Sequence, residues 1–223
     1  MRRGTMTAAA LAVALAACGG GEGDGDGRGF DGIEGSGVIV QDARELAPFH
    51  GVRLEGAGRV ELVSGAEQGV VVEADDNVVD RVRTEVVDGM LAIGLEPGSY
   101  RNVTLILHVA SPALDRLELD GAGEMEGSVG EVGDLSVRLD GGGELTLAGA
   151  ADRVSIALAG AGSIHAYELG TGRCSVTLEG AGKVEVTVSE HLDAVVAGVG
   201  DIRYDGAPTV DQTVTGLGSV RHR

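Results

Sequence analysis

The chain has 223 residues and a formal charge of −18, from 17 Lys and Arg against 35 Asp and Glu. This charge disfavours nucleic acid and anionic lipid headgroups as the main partner, because both are bound by clustered cations. Hydrophobic residues make up 43% of the chain, too many for a wholly disordered protein, and the 39 glycines follow no three-residue period of the collagen type.

The N-terminus has the pattern of a bacterial lipoprotein signal. Arg2–Arg3 precede an apolar stretch, Thr7–Ala17, which is too short to cross a bilayer but has the length of a signal-peptide core. Leu15–Cys18 (LAAC) resembles the lipobox, in which the cysteine is acylated and becomes the mature N-terminus. We therefore predict a signal peptide over residues 1–17 and a membrane anchor on Cys18; the alternative is an ordinary secretory signal with an incidental cysteine.

This signal places the protein in the cell envelope, exported and held by its acyl chains. In an organism with two membranes, Gly19 after the cysteine, where inner-membrane lipoproteins carry Asp, favours the outer membrane. Once Cys18 is acylated, Cys174 is the remaining thiol, so no intrachain disulfide is expected. We expect Cys174 to pack as a small apolar residue.

Residues 18–37 are predicted to form a tether. Glycine alternates there with Asp and Glu, which gives high backbone freedom and almost no apolar side chains to bury. Asp24, Asp26 and Asp31 suggest calcium ligands, but Arg28 occupies the third ligand position of an EF-hand loop. The segment is therefore interpreted as a flexible stalk.

A Gly-x-Gly triplet recurs along the rest of the chain. The triplets are Gly56–Gly58, Gly121–Gly123, Gly141–Gly143, Gly160–Gly162, Gly180–Gly182, Gly198–Gly200 and Gly216–Gly218. From the second triplet onward their first glycines are 18 to 20 residues apart. A fixed period of this length is typical of a solenoid.

Apolar residues alternate with polar or small ones on both sides of the triplets. Leu117 and Leu119 precede Gly121, and Leu145 and Leu147 follow Gly143. A period of two indicates half-buried strands, so each triplet joins two strands at a corner. The pattern predicts an all-β protein, a parallel β-helix (β-solenoid) with coils of about 18–20 residues. A nucleotide-binding loop is disfavoured, because a strand and not a helix follows each triplet.

The region from Val38 to Pro112 is less regular but also rich in strand-like segments separated by turn residues. Within it, Asn77–Val86 is either a short helix or a loop. We expect one continuous β-helix domain over residues 38–223.

Several segments of this domain resemble the bacterial family called the putative auto-transporter adhesin head, or GIN, domain. They are Phe49–Leu62, Gly69–Asn77, Thr84–Ile93 and the later triplets. The resemblance implies a β-helical, secreted or lipid-anchored envelope protein. It carries over no catalytic residue, and this chain departs from the family pattern by lacking a triplet between Gly58 and Gly121.

The sequence offers few candidates for chemistry. Its five histidines never pair at metal-ligand spacing, which disfavours a zinc site, and we expect no cofactor and no catalytic residue. One acidic column stands out, because Asp120 and Asp140 precede consecutive triplets and Glu124 and Glu144 follow them. Stacked carboxylates either raise a pKa or recruit a divalent cation, and the alternative is a solvated face on which they splay apart.

Three readings of the function remain open. The first is a non-catalytic envelope protein whose β-helix presents a binding or adhesion surface to an envelope protein or a glycan. The second is a polysaccharide-active enzyme, by analogy with other β-helices, and a third reading is a structural component without a dedicated ligand. The sequence does not decide the oligomeric state.

Overall fold

The glycine triplets and their apolar flanks become the corners and strands of a β-solenoid. The structure is a computed structural model that describes residues 31–65 and 67–223. The predicted signal peptide, Cys18 and most of the predicted tether lie outside the described residues. The elements are β1 (Ile33–Glu34), β2 (Ile39–Arg44), β3 (Gly51–Gly56), β4 (Arg59–Ser64), β5 (Gly69–Asp75), a 3-10 helix (Val79–Arg81), β6 (Val82–Val87), β7 (Met90–Leu95), β8 (Tyr100–Arg101), β9 (Leu105–Ser111), β10 (Arg116–Gly121), β11 (Glu124–Gly141), β12 (Glu144–Leu158), β13 (Ala161–Leu178), β14 (Ala181–Val196), β15 (Val199–Asp205), β16 (Thr209–Val214) and β17 (Leu217–His222).

Strands from successive coils pair in parallel, as the sequence predicts. β11, β12, β13 and β14 lie side by side, and equivalent residues of each coil face one another across the ladder. One inward column consists of Leu119, Leu139, Leu158, Leu178 and Val196, all buried. These aliphatic columns form the core, and the prediction of an all-β parallel solenoid is confirmed.

The residues between Gly58 and Arg116, which contain no triplet, stack at the N-terminal end of the solenoid as a part that we call the N-terminal layer. There β7 pairs in parallel with β3, and β9 pairs in parallel with β4. β3 pairs in parallel with β10, so that Gly56 lies beside Gly121 in adjacent coils although 65 residues separate them in the chain. The intervening residues also form two antiparallel pairs, β5 with β9 and β6 with β7, and β2, which precedes β3 in the chain, pairs antiparallel with β5. The segment 77–86 holds the 3-10 helix and the start of β6. No helix in the described residues has the length and apolar character to span a bilayer.

The end of the predicted tether, before the predicted domain boundary at Val38, already takes part in the fold. β1 lies within the segment interpreted as a tether, and it pairs in parallel with β8. The buried carboxylate of Asp75 accepts hydrogen bonds from the backbone N–H groups of Gly37 and Thr104, both at 2.7 Å. A buried carboxylate is costly unless its oxygens are hydrogen-bonded. The two hydrogen bonds of Asp75 therefore hold Gly37, where the chain enters the solenoid, against the end of β5.

The corners require glycine because the coils approach too closely for a side chain. A Cβ atom on Gly180 would overlap the carbonyl oxygen of Gly160 in the preceding coil, and one on Gly160 would overlap that of Gly141. At Gly141 the backbone also has a φ of 144°, a conformation that favours glycine. Close packing of backbone on backbone is thus the more general reason for the triplets.

We expect Gly180→Ala to destabilise the fold by about 3 kcal/mol, because the Cβ atom meets rigid backbone that only a shift of the coil relieves. Chemical denaturation followed by circular dichroism measures the change. The matched control is Gly170→Ala on β13, where an added Cβ meets nothing within 4 Å and the stability should change by less than about 1 kcal/mol. Equal effects of the two substitutions would show that corner contact does not limit the fold.

Candidate functional site

The predicted acidic column lies in register on the solenoid. Asp120 faces Asp140 across the β10–β11 ladder, and Glu124 faces Glu144 across the β11–β12 ladder. Burial, with smaller contributions from Glu118 and Asp140, raises the pKa of Asp120, while the charge of Arg53 opposes the shift. Crowding of carboxylates therefore adds to the shift, but burial dominates it.

Basic side chains accompany each of these four carboxylates. Arg53 lies 3.7 Å from Asp120, Arg138 is 2.8 Å from Asp140, and Arg59 pairs with Glu124. Glu144 lies 3.6 Å from His165 Nε2. Within the described ranges, no group of three or more His, Cys, Asp and Glu side chains is placed to hold a metal ion. The arrangement gives the cation hypothesis no support and resembles a surface of exposed ion pairs.

A cluster that the sequence did not indicate surrounds Glu185. This side chain is 7% exposed, its Oε2 lies 2.5 Å from Nδ1 of His165, and Lys183 pairs with its other oxygen. Burial raises the pKa of Glu185, but the hydrogen bonds from Lys183 and His165 outweigh burial and leave the pKa below its ordinary value of 4.5. Burial and then the charge of Glu185 raise the pKa of the neighbouring Tyr167.

A groove with a volume of about 640 Å³ runs across the strands. We call it the serine groove. Each of its two rims is a row of outward-facing residues, one from each of four successive coils, in register. Its floor lies between the rims, above a row of buried apolar residues. One rim is Asp134, Arg153, Arg173 and His191; the other is Ser136, Ser155, Ser175 and Asp193; the floor row is Leu135, Val154, Cys174 and Leu192. His50 and Asp115 line one end.

The rims combine ion pairs with unpartnered hydroxyls. Arg153 donates two hydrogen bonds to Asp134, at 2.5 and 2.8 Å, which lower the pKa of that carboxyl. Arg173 lies 3.2 Å from Glu190, and all four of these side chains are more than half exposed. Such exposed pairs contribute little to stability and rearrange easily. The hydroxyls of the three serines have no hydrogen-bond partner among the described residues, and all three are exposed.

A second concavity of about 700 Å³ follows the glycine corners. Its walls are largely backbone, from triplet residues such as Gly58, Gly123 and Gly143, and the loop around Asn102 closes one end. Glu124 and Glu144 line it together with Arg59, whose ion pair with Glu124 occupies both groups. This corner groove is larger, but it offers fewer free side-chain groups for specific recognition than the serine groove does.

Cys174 lies under the floor of the serine groove, where it is 3% exposed. Burial raises the pKa of its thiol to about 12. The prediction that Cys174 packs as a small apolar residue is confirmed, and a thiol that remains protonated is a poor nucleophile. None of the groove serines is hydrogen-bonded to an imidazole in the described part of the chain.

The serine row was present in the sequence but was not singled out there. Ser136, Ser155 and Ser175 recur at spacings of 19 and 20 residues, the period of the triplets. The Glu185 cluster had no such signal, because its members belong to two coils and differ in type. Repetition of a polar residue at the coil period was therefore the detectable signal.

We expect Glu185→Gln to lower the free energy of unfolding by about 1–2 kcal/mol at pH 7, because its partners lose a buried ionised acceptor. The folded pKa is below the unfolded one, so the stabilisation is full above about pH 4.5 and is lost as the pH falls through the folded pKa. The difference between wild type and variant should therefore shrink in acid. Denaturant unfolding at several pH values measures it.

The control for this experiment is Glu190→Gln on the same strand, where an exposed pair with Arg173 is removed and the change should be below about 0.5 kcal/mol. A difference between wild type and Glu185→Gln that is constant from pH 7 into acid would contradict the role given to the ionised carboxylate.

Comparisons with known proteins agree with this architecture. A crystal structure of a putative adhesin from Bacteroides fragilis superposes with a TM-score of 0.68 at 20% identity, covering 86% of this chain and 100% of that chain. A putative lipid binding protein from Parabacteroides distasonis gives 0.51 at 19% identity, with 86% and 99% covered. At these identities the likeness supports the fold alone.

A search of curated protein sequences finds no match. A family model described as the putative auto-transporter adhesin, head GIN domain, matches residues 48–208, from the coil of β3 to the start of the last coil. The resemblance noted in the sequence is confirmed: this chain belongs to the GIN domain family of putative auto-transporter adhesin heads.

Proposed function

We propose that this protein is a lipid-anchored component of the bacterial cell envelope whose solenoid acts as a non-catalytic binding surface. The serine groove is the contact site in this proposal. The observation that carries it is the pair of outward polar rows in register over four coils, with free hydroxyls on one rim and guanidinium groups on the other.

The rigidity of the groove favours binding. Each rim residue of β12 and β13 belongs to a strand that is hydrogen-bonded on both sides, so the backbone positions of the rows are fixed before any partner arrives. A preorganised surface loses little conformational entropy when it binds. Solenoids offer such extended surfaces because every coil repeats the same side-chain positions.

Family membership also supports a binding role, since the family description refers to the head of an adhesin. The lipobox-like Leu15–Cys18 and the apolar stretch before it support export and anchoring. The alternative of a polysaccharide-active enzyme has no supporting constellation in the described residues, where no groove serine is bonded to His50 or His191.

The binding role is tested by capture from envelope extract with the immobilised full chain. We expect the double variant Arg153→Ala/Arg173→Ala to retain at least about tenfold less of any specifically bound component than wild type, because two exposed donors leave the rim. The control is Arg81→Ala/Arg83→Ala, which removes two arginines from the N-terminal layer outside the groove. Equal retention by both double variants would exclude the groove as the contact site.

The anchor is tested by fractionation of cells that express Cys18→Ser. We expect this variant to leave the membrane fraction, because serine cannot form the thioether to the lipid. Cys174→Ser is the matched control, which removes the other cysteine of the chain and should remain with the membranes. Wild-type protein found in the soluble fraction would contradict the anchoring proposal.

A further inference from the structure

The serine groove has a repeat distance that follows from the fold. The groove runs perpendicular to the strands, so neighbouring groups on each rim belong to neighbouring coils. Parallel strands lie about 4.8 Å apart, and the rim groups therefore repeat at about that distance. The two rims are two residues apart on each strand, which separates them by about 6.6 Å.

This repeat matches an extended glycan better than a polypeptide. In a linear chain of equatorially linked pyranoses, one sugar unit advances the chain by nearly the spacing of one coil. In an extended polypeptide, side chains on the same face recur at about 6.6 Å, which does not match the coil spacing. A glycan along the groove places one ring at each coil and, because alternate rings are turned over, presents equivalent hydroxyls to every second coil. A peptide falls out of step after one coil.

The backbone under the groove also disfavours a polypeptide. The strands of the floor pair with neighbours on both sides, through β12 and β13, so their N–H and C=O groups are already used. An added peptide strand needs a free sheet edge, which this face lacks. Recognition here depends on side chains.

The side chains have the chemistry that sugars require. Guanidinium groups donate hydrogen bonds, carboxylates accept them, and serine hydroxyls and neutral imidazoles do both, so together they can pair with sugar hydroxyls, which donate and accept. The floor between the rims is strand backbone, and the side chains of Leu135, Val154 and Cys174 are buried beneath it in the core. Three arginines and three aspartates line the groove, so it is nearly neutral in a chain of charge −18. That field repels a polyanion and leaves an uncharged glycan unaffected.

We propose that the serine groove binds an extended, uncharged glycan with one monosaccharide on each coil. This inference rests on the proposed function and assigns its ligand class. The rows Ser136–Ser155–Ser175 and Arg153–Arg173 hydrogen-bond the sugar hydroxyls, and the four coils of the two rims define about four subsites.

The test is calorimetric titration of the full chain with uncharged linear oligosaccharides, namely cello-, chito-, manno- and xylo-oligosaccharides as disaccharide, tetrasaccharide and hexasaccharide. For the series that binds, we expect the tetrasaccharide to bind at least about tenfold more tightly than the disaccharide, and the hexasaccharide to gain less than about threefold more. Affinity that is independent of chain length would overturn the assignment of one sugar to each coil.

Substitutions locate the site. Ser155→Ala and Ser175→Ala should each weaken tetrasaccharide binding about three- to tenfold, the loss expected for one hydrogen bond. Ser163→Ala is the matched control, because the Ser163 hydroxyl has no hydrogen-bond partner in the described residues and this serine lines the corner groove instead. Loss of binding in Ser163→Ala and not in Ser155→Ala would overturn the placement.

The remaining outcomes separate this inference from the proposed function. Binding of oligogalacturonate in preference to every uncharged series, or binding of no oligosaccharide, overturns the glycan assignment. If capture from envelope extract then still depends on Arg153 and Arg173 and retains a polypeptide, the binding function stands with a different ligand. If that capture is also lost, both proposals fail.

Discussion

The contact of backbone with backbone at the glycine corners is the constraint on which the rest of this structure depends. Gly141, Gly160 and Gly180 lie so close in successive coils that none of them has room for a Cβ atom. This approach sets the coils at hydrogen-bonding distance and in register. Because the register is fixed at the corners, each aliphatic residue lies on its equivalent in the next coil, and buried columns such as Leu139–Leu158–Leu178 form without aromatic side chains.

The same register orders the polar surface. Every outward position becomes a row along the solenoid, so a residue type that recurs at the coil period forms a line, and one that does not forms an isolated contact. The acidic column and the serine groove are rows of the first kind, with different outcomes. The carboxylates of the column are accompanied by arginines and a histidine, whereas the three serine hydroxyls of the groove have no partner in the described residues. A binding surface needs free hydrogen-bonding groups, and the serine groove has them.

The net charge of the chain is strongly negative, and its buried carboxylates are stabilised by specific partners. A net charge of −18 repels other polyanions. In the described residues two carboxylates are buried, and both are paired. Glu185 lies between Lys183 and His165, and Asp75 accepts two backbone hydrogen bonds where the chain enters the solenoid. Both carboxylates act in the fold, Asp75 by closing the N-terminal layer and Glu185 by joining β13 to β14.

The sequence by itself determined the repeat, because triplets at 18 to 20 residues and alternating apolar flanks follow from local geometry: a corner needs glycine and a half-buried strand needs a period of two. It also determined the buried character of Cys174. Only the tertiary structure decided that β3 and β10 are neighbours although they lie far apart in the chain, that Ile33 and Glu34 form a strand with β8, and that arginines accompany the acidic column. These features depend on contacts between residues far apart in the chain. A local sequence pattern does not encode which distant side chain lies beside a given carboxylate.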